Sequence, residues 1–131
     1  MRSYTQLTDL QADLAAKRCT TVDVVQYYLR QIEQQASLNI YVEVFAQEAL
    51  ERAREQDKRR ASGLSLGPLA GLVVSIKDVI CYKDHGVTAG SKILQGFESL
   101  FSATVVERLL AADAIIIGRT NCDEFAMGST N

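Results

Sequence analysis

The chain has 131 residues, of which 47% are hydrophobic and 23% are charged, and its formal net charge is -2 at pH 7. That length is typical of a single domain that can bury a real core. Without an excess of basic residues, the chain is a poor candidate for binding a nucleic-acid backbone by itself. Its N-terminus shows no leader-like apolar segment, and its apolar runs are far shorter than the roughly 20 residues that cross a bilayer. We therefore expect no membrane contact and a cytoplasmic location.

The cysteine and histidine residues give little sign of metal or redox chemistry. Cys19, Cys81 and Cys122 are widely spaced and form no CxxC or His/Cys cluster. This pattern favours free thiols in a reducing compartment over disulfides or a zinc site. The only histidine, His85, lies in a polar loop, where a hydrogen-bonding role at the surface is favoured over catalysis. No metal site is expected.

Three helices are predicted in the first half of the chain. The first begins at Thr8 and Gln11, whose spacing matches a capping box, and the second begins at Thr20 and Asp23. Each is followed by apolar residues at helical spacing, which together suggest a helical hairpin. A third helix is predicted over residues 46–61, with small apolar residues on one face and charges on the others.

Strands are predicted where branched residues cluster. Residues 41–45 alternate like a short strand, whereas residues 72–76 and 114–118 are continuous apolar runs typical of buried parallel strands. A helix that begins with Ser102 as its cap is predicted between the last two. Strand, helix and strand in this order indicate parallel pairing through a right-handed crossover, so the predicted fold class is α/β.

Composition divides the chain into two predicted segments. Residues 62–71 hold the only proline and three of the eight glycines, so the third helix must end there and the chain must turn. We therefore predict a helical layer over 1–62, followed over 63–131 by the first strand, helix and strand of an α/β core. The long connection over 78–101 is of a length that is often functional.

Lys77 stands at the end of an apolar strand, in the sequence "GLVVSIKDVI". Strand alternation places Val73, Ser75 and Lys77 on one face and Asp78 on the other. The carboxyl end of a parallel strand is where open α/β sheets hold their sites, and burial favours the neutral amine, which can act as a general base. The alternative is a structural lysine that reaches water or pairs with Asp78, and the spacing alone leaves both open.

Three stretches carry a family resemblance: "GPLAGLVVSIKDVI", "TAGSKIL" and "ATVVERLLAADAIIIGRTNCDEFAMGSTN". They resemble the first portion of the amidase signature family, and the helical hairpin fits the N-terminal layer of that fold. The resemblance implies that this layer is followed by the start of a mixed, largely parallel sheet flanked by helices. The closing "TNCDEFAMGST" favours the branch of the family that serves tRNA-dependent amidotransferases over general amidases. The resemblance spans nearly the whole chain and is strongest from Gly67 onward.

By this resemblance, Lys77 is the lysine of the family's triad of serine, cis-serine and lysine. Such enzymes hydrolyse glutamine through an acyl-enzyme intermediate, and backbone amides stabilise the tetrahedral intermediate. The family's Gly/Ser-rich signature, which holds both serines, has no counterpart up to Asn131. Since triad members act as a unit, the 131-residue chain alone is expected to be inactive.

The resemblance also implies partners. The ammonia would pass to the amidotransferase B subunit, where ATP and magnesium activate the glutamate or aspartate of a mischarged tRNA, and a C subunit completes the assembly. No cofactor is expected on this chain itself. Met127, Gly128 and Ser129 match the backbone that lines the family's glutamine pocket. Residues 88–91 match a stretch near the active site, without an assigned role.

Several alternatives stay open. Asp123 and Glu124 could form a carboxylate pair for a metal, but capping a helix is the favoured interpretation. The chain could also be a general amidase piece, or a non-catalytic module that binds partner subunits through its helical hairpin. We further expect strands 71–77 and 114–118 to keep an uncovered edge or face, so that the isolated chain self-associates.

Overall fold

The computed structural model of the chain describes residues 4–128. Within this range, four α-helices and three strands form a mixed α/β fold, as the sequence predicts. The helices are α1 (Leu7–Ala15), α2 (Thr21–Gln34), α3 (Ala46–Ala61) and α4 (Thr104–Ala111). The strands are β1 (Tyr41–Val44), β2 (Val73–Lys77) and β3 (Ile115–Thr120).

The sheet has the order β1-β3-β2, with β3 in the centre. β2 runs parallel to β3, as predicted, and β1 pairs with β3 in the antiparallel sense. Because β1 comes from the first predicted segment, both segments share one sheet, and the division at residue 62 stays a prediction. The expected open edge of strand 114–118 is wrong, since β3 is paired on both sides, whereas β2 has no strand on its outer side among residues 4–128.

Helices cover both faces of the sheet. Ile115 and Ile117 of β3 pack against α2 and α3, where Ala49 and Ala53 let α3 approach closely. Ile116, which points the other way, packs with Val106 of α4. This alternation follows from the period of two along a strand, so β3 is the buried layer between two helical layers.

The predicted helical hairpin is present, but only one of its two caps is. Leu10 and Leu14 of α1 pack against Val24 of α2. At the start of α2, the Thr20 hydroxyl accepts a hydrogen bond from the Asp23 amide at 3.0 Å, and the Asp23 carboxylate accepts one from the Thr20 amide at 2.9 Å. This capping box confirms the prediction for α2.

Two predicted caps are wrong because tertiary contacts take the residues. α1 begins one residue before Thr8, and its N-cap makes no side-chain hydrogen bond, while the Gln11 amide donates to the Pro68 carbonyl at 2.8 Å. α4 is capped by Ala103 without a side-chain bond. The hydroxyl of Ser102 instead accepts a hydrogen bond from the Lys83 amide at 3.1 Å.

The turn over 62–71 is held against the end of α4. The Asp113 carboxylate accepts a hydrogen bond from the Gly67 amide at 2.5 Å, and the buried Gln56 side chain bridges the Asp113 carbonyl and the Gly71 amide. A Cβ atom at position 67 would lie 2.5 Å from the Ala112 carbonyl oxygen, so only glycine permits this approach. The turn thereby delivers the chain to the start of β2.

An open apolar groove lies between α2 and the sheet. It has a volume of about 710 Å³ and is lined by side chains of α2, of the segment that leads into β1, and of the three strands. Among these are Leu29, Ile32, Ile40, Tyr41 and Val73. No helix within residues 4–128 is long and apolar enough to cross a membrane.

The two capping-box assignments generate a paired prediction. Thr20→Ala is expected to lower the free energy of unfolding by about 1 kcal/mol, because the Asp23 amide loses the hydroxyl that accepts its hydrogen bond. Thr8→Ala, an equally exposed substitution inside α1, is expected to leave that free energy unchanged or slightly higher, because alanine is the better helix former. Urea denaturation followed by circular dichroism measures both. Equal losses for the two variants would contradict the assigned caps.

Candidate active site

Lys77 is the last residue of β2 and lies opposite Thr120, the last residue of β3. Its side chain is exposed, so the burial that the sequence analysis invoked to favour a neutral amine is absent among residues 4–128. Among residues 4–128, no group lies within hydrogen-bonding or ion-pair distance of its ammonium, so the pairing with Asp78 that the sequence left open is not formed. The lysine therefore stands at the carboxyl edge of the parallel pair, the position that α/β sheets use for their sites.

Asp78, the next residue, is fully buried. Its carboxylate accepts hydrogen bonds from the Thr88 amide at 3.0 Å, from the Thr88 hydroxyl, and from the guanidinium of Arg119 at 2.5 Å. Its backbone is fixed too, because its amide donates to the Thr120 carbonyl at 2.9 Å and its carbonyl accepts from Ala89 at 2.8 Å. Asp78 thus ties the end of β2 to β3 and to the loop that follows.

Arg119 supplies the opposite charge from within β3. Its guanidinium bridges Asp78 and the half-exposed Glu43 of β1, 2.9 Å away, so one side chain links all three strands. Among the described residues its Nε atom is buried without a hydrogen-bond partner. The sequence analysis did not identify this cluster; the signal that could have found it is a single arginine directly after the apolar run "AIIIG".

The cluster holds Asp78 in its ionised form. Burial by itself would raise the pKa of the Asp78 carboxyl, but the hydrogen bonds from Thr88 and the charge of Arg119 outweigh burial and lower that pKa below its ordinary value. The group is therefore a carboxylate across the physiological pH range, and it is a structural acceptor rather than an acid.

Two loops meet above these strand ends. The Phe125 amide donates to the Ala89 carbonyl at 2.8 Å, and the Ser91 hydroxyl donates to the Glu124 carboxylate at 2.6 Å. Gly90 adopts a φ of +65°, and a Cβ atom there would lie 2.6 Å from the carbonyl oxygen of Cys122. The segment 88–91 is thus packed both on Asp78 and on the segment that follows β3.

Ala89 and two residues of the second loop, Phe125 and Ala126, also have positive φ values, which are uncommon for residues with a side chain. Such conformations persist where surrounding contacts hold them, and they are frequent at functional sites. The two loops over 88–91 and 121–128 therefore form a constrained layer at the edge where Lys77 lies.

The predicted substrate-binding residues lie in this layer only in part. Met127 is 82% exposed, and its amide donates to the Glu124 carbonyl at 3.2 Å. Gly128 is exposed, and the space that a Cβ atom would take is occupied by the Asp123 carboxyl group. Ser129 lies outside the described residues. Their binding role stays a prediction.

The carboxylate pair of Asp123 and Glu124 is divided between different tasks. Glu124 accepts the hydrogen bond from Ser91, and Asp123 occupies the N-cap position of the short turn Glu124–Ala126 without a side-chain capping bond. Within residues 4–128, no group of three or more His, Cys, Asp or Glu side chains is arranged to hold a metal ion. The three cysteines are free thiols.

A second cluster fastens the long connection to α3. His85 stacks on the Tyr82 ring with centroids 4.0 Å apart and makes an edge contact with Phe45 at 4.4 Å. Its Nε2 atom lies 3.0 Å from the Glu48 carboxylate and its Nδ1 atom 2.8 Å from the Lys83 carbonyl. The hydrogen-bonding role predicted for His85 is confirmed. Both neighbours are acceptors, so both ring nitrogens donate only in the imidazolium form.

The carboxylate of Glu48 carries the charge of this cluster, and the neutral phenol of Tyr82 donates to it. Burial and the hydrogen bond to Glu48 raise the pKa of the Tyr82 hydroxyl to about 12. Burial opposes ionisation of Glu48, but the hydrogen bonds from Tyr82 and Arg52 outweigh it and lower the pKa of the Glu48 carboxyl. The carboxylate therefore anchors the loop residues Tyr82 and His85 on α3.

The fold and the strand-end lysine define a class: an α/β protein with its candidate site at the carboxyl edge of a parallel pair, beneath two ordered loops. The family model described as Amidase matches residues 23–131. Because this match covers well over half of the chain, the chain belongs to the amidase family.

Relatives of known name agree with that assignment over nearly the full chain. The A subunit of glutamyl-tRNA(Gln) amidotransferase from Chlorobium limicola is 46% identical over 123 residues, which are 94% of this chain and 26% of that protein. The protein of the same name from Paraburkholderia phymatum is 47% identical over 125 residues, 95% of this chain and 25% of its own length. The chain therefore spans about a quarter of the length of the relatives it matches.

Solved structures share the fold. The native peptide amidase from Stenotrophomonas maltophilia aligns with a TM-score of 0.85 at 34% identity, over 94% of this chain and 26% of that one. An inhibitor-bound vestigial complex, described as revealing the origins of an s-triazine catabolic enzyme, aligns with a TM-score of 0.90 at 33% identity. That match covers 96% of this chain and 28% of the other. The predicted fold, the N-terminal part of the amidase signature fold, is confirmed.

The buried charge pair generates a prediction about stability and pH. Asp78→Asn is expected to lower the free energy of unfolding at pH 7 by about 3–5 kcal/mol, because it leaves the charge of Arg119 without its only buried partner, with the half-exposed Glu43 remaining. The lowered pKa contributes stability above the unfolded-state value of about 3.9, and that contribution is lost as the pH falls through the folded-state pKa. The difference in the free energy of unfolding between wild type and Asp78→Asn should therefore become smaller as the pH falls.

Urea denaturation at pH 7 and at decreasing pH measures this difference. Glu43→Gln is the matched control, because it removes the half-exposed partner of the same arginine and is expected to cost about 0–1 kcal/mol. If the difference in the free energy of unfolding between wild type and Asp78→Asn stays constant as the pH is lowered, the assigned role of the Asp78 carboxylate is contradicted.

The second cluster generates a prediction about Tyr82. Glu48→Gln removes the carboxylate that holds the phenol proton, so the pKa of Tyr82 is expected to fall from about 12 toward its ordinary value of 10.0. Ring-carbon NMR titration of the tyrosines measures this, with Tyr82→Phe to assign the signal. Glu51→Gln on the exposed face of α3 is the control and should leave the titration unchanged. An unshifted Tyr82 in Glu48→Gln would show that burial alone sets its pKa.

Proposed function

We propose that this chain is the N-terminal part of the glutamine-hydrolysing subunit of a tRNA-dependent amidotransferase. The observation that carries the proposal is the position of Lys77 at the carboxyl end of β2, beneath the loops over 88–91 and 121–128. Support comes from the relatives named as A subunits of glutamyl-tRNA(Gln) amidotransferase, which are 46–47% identical over nearly the whole chain. The complete subunit belongs to a ligase, although its own step is amide hydrolysis.

In the proposed chemistry, the amine of Lys77 in the complete subunit accepts a proton from a serine held on a cis peptide. That serine takes the proton of a nucleophilic serine, whose oxygen attacks the side-chain amide carbon of glutamine. Backbone amides stabilise the resulting oxyanion, and ammonia leaves with a proton returned through the same relay. Water then hydrolyses the ester and releases glutamate. Both serines belong to the remainder of the subunit.

This division of the triad has a consequence for the 131 residues alone. A base without its nucleophile retains very little of the activity of a triad, because the members act as a unit. We therefore propose that the chain by itself hydrolyses no amide. Met127, Gly128 and Ser129 are proposed to contribute backbone to the glutamine pocket of the complete subunit.

We propose that the complete subunit works with two partner subunits in the cytoplasm. Ammonia passes to a B subunit, where ATP and magnesium activate the acyl group of Glu-tRNA(Gln) or Asp-tRNA(Asn), and a C subunit completes the complex. This chain holds no cofactor in the proposal, and the tRNA is bound through the partners. The free thiols fit a reducing cytoplasm.

A second candidate is an amidase that acts on simple amides or peptides. The fold similarity to a peptide amidase at 34% identity favours it as the alternative. Ammonia release from glutamine, compared with release from short aliphatic amides, separates the two functions. A chain that is naturally complete at 14.4 kDa would instead favour a non-catalytic module that binds partner subunits.

Lys77→Met tests the proposed base in the full native subunit, whose intact mass is measured first. Loss of the relay is expected to reduce glutamine hydrolysis by about 10³-fold or more, since triad members fail together. Lys83→Met, at another exposed lysine in the following loop, is the control and should retain activity. Hydrolysis of glutamine by Lys77→Met at the wild-type rate, or a native mass near 14.4 kDa, would overturn the proposal.

We also propose that the isolated chain self-associates through the apolar groove and the outer side of β2. In a monomer, the apolar side chains of the groove are exposed to water, and association would bury them. An unpaired strand edge also recruits other chains. Ile40→Asp, in the groove, is expected to shift sedimentation toward monomer. Leu64→Asp, which is also exposed but does not line the groove, should not. A concentration-independent monomer in the wild type would contradict self-association.

A further inference from the structure

The position of Lys77 depends on its neighbour. Within residues 4–128 the exposed side chain of Lys77 makes no hydrogen bond or ion pair, so its position is set through its own backbone. That backbone continues into Asp78, whose carboxylate, amide and carbonyl are all bonded. The bonded backbone and side chain of Asp78 therefore help to fix the position of Lys77 at the end of β2.

We infer that Asp78, clamped by Arg119 and by the loop over 88–90, is the positioning residue that sets Lys77 for proton transfer. The inference rests on the proposed function, in which Lys77 is the base. Asp78 touches neither glutamine nor the reacting atoms in this arrangement, because its carboxylate is fully buried on the opposite face of the strand.

Three contacts carry the inference. The Asp78 amide donates to the Thr120 carbonyl at 2.9 Å, which fixes the end of β2 against β3. The Asp78 carbonyl accepts from Ala89 at 2.8 Å, and the Lys77 carbonyl accepts from the Ile80 amide at 2.9 Å. All three contacts are made by the backbone of Lys77 or of the residue directly after it, so a rotation of Asp78 would move the base.

The loop above the site depends on the same carboxylate. Thr88 donates to it through both its amide and its hydroxyl, and the Gly90 amide lies 3.5 Å from it. Since the Ala89 carbonyl accepts from Phe125, displacement of this loop would also move the segment after β3. Supporting residues of this kind hold a reacting group within the narrow tolerance that catalysis requires.

The test uses Asp78→Asn in the full native subunit, with Asp113→Asn as the matched control. Asp113 is also a carboxylate that joins an arginine to a backbone amide, and its pKa is also lowered despite the opposing effect of burial, but it lies at the amino end of β3. Both variants lose a charge that supports the fold. Only Asp78→Asn is expected to lower kcat for glutamine, by about 10- to 100-fold, with KM changed little.

Thr88→Val provides a milder variant in case Asp78→Asn does not fold. It removes the hydroxyl that donates to Asp78 and accepts from the Gly90 amide at 3.3 Å, and it should lower kcat in the same direction by a smaller factor. Equal kcat losses in Asp78→Asn and Asp113→Asn would overturn the inference, because loss of stability would then explain both. A folded Asp78→Asn with wild-type kcat would overturn it as well.

Hydrogen exchange makes the test independent of catalysis. The amides of residues 78, 80 and 89 should exchange faster in Asp78→Asn and in Thr88→Val than in the wild type. In the Asp113→Asn variant, the same three amides should stay protected. Amides within α3 should stay protected in Asp78→Asn and Thr88→Val. If the wild-type protein hydrolyses no glutamine, the proposed function fails, and the exchange pattern still decides whether Asp78 anchors Lys77. Unchanged exchange at the three amides would overturn the inference in either case.

Discussion

The buried ion pair between Asp78 and Arg119 is the interaction on which the carboxyl edge of the sheet depends. Two buried charges are costly unless further hydrogen bonds satisfy them, and here Thr88 and Glu43 supply those bonds. The result is a junction of three strands and one loop at a single point. Apolar contacts could hold β2 against β3, but they would not orient the loop over 88–90, because that requires directional acceptors.

Much of the fold follows from local pattern. α3 has the predicted bounds, and α2 begins with its predicted capping box, since the apolar period and the cap lie within a few residues of each other. The caps predicted at Thr8 and Ser102 failed for the same physical reason. Gln11, the partner expected for Thr8, and Ser102 itself form hydrogen bonds with residues distant in the sequence. A local sequence pattern does not reveal such distant partners.

Of the candidate site, the sequence predicted Lys77 but not the residues that support it. Lys77 stands out because a charged residue ends an apolar strand, which local alternation reveals. Its supporting residues do not stand out, since Arg119 is 41 positions from Asp78 and 76 from Glu43, and such pairs form only when the sheet assembles. The antiparallel addition of β1 to β3 is likewise a long-range event. The cue that remained was an arginine directly after the apolar run of the most buried strand.

The order of Lys77 and Asp78 has a physical reason. Because side chains alternate across a strand, adjacent residues at its end point into different environments, one toward the core and one toward solvent. The acid is the residue suited to the core here, since Arg119 and the amide of Thr88 are donors. A lysine in the buried position would face donors and another cation. The acid is therefore the residue of the two that the core can hold, and the lysine beside it is left exposed.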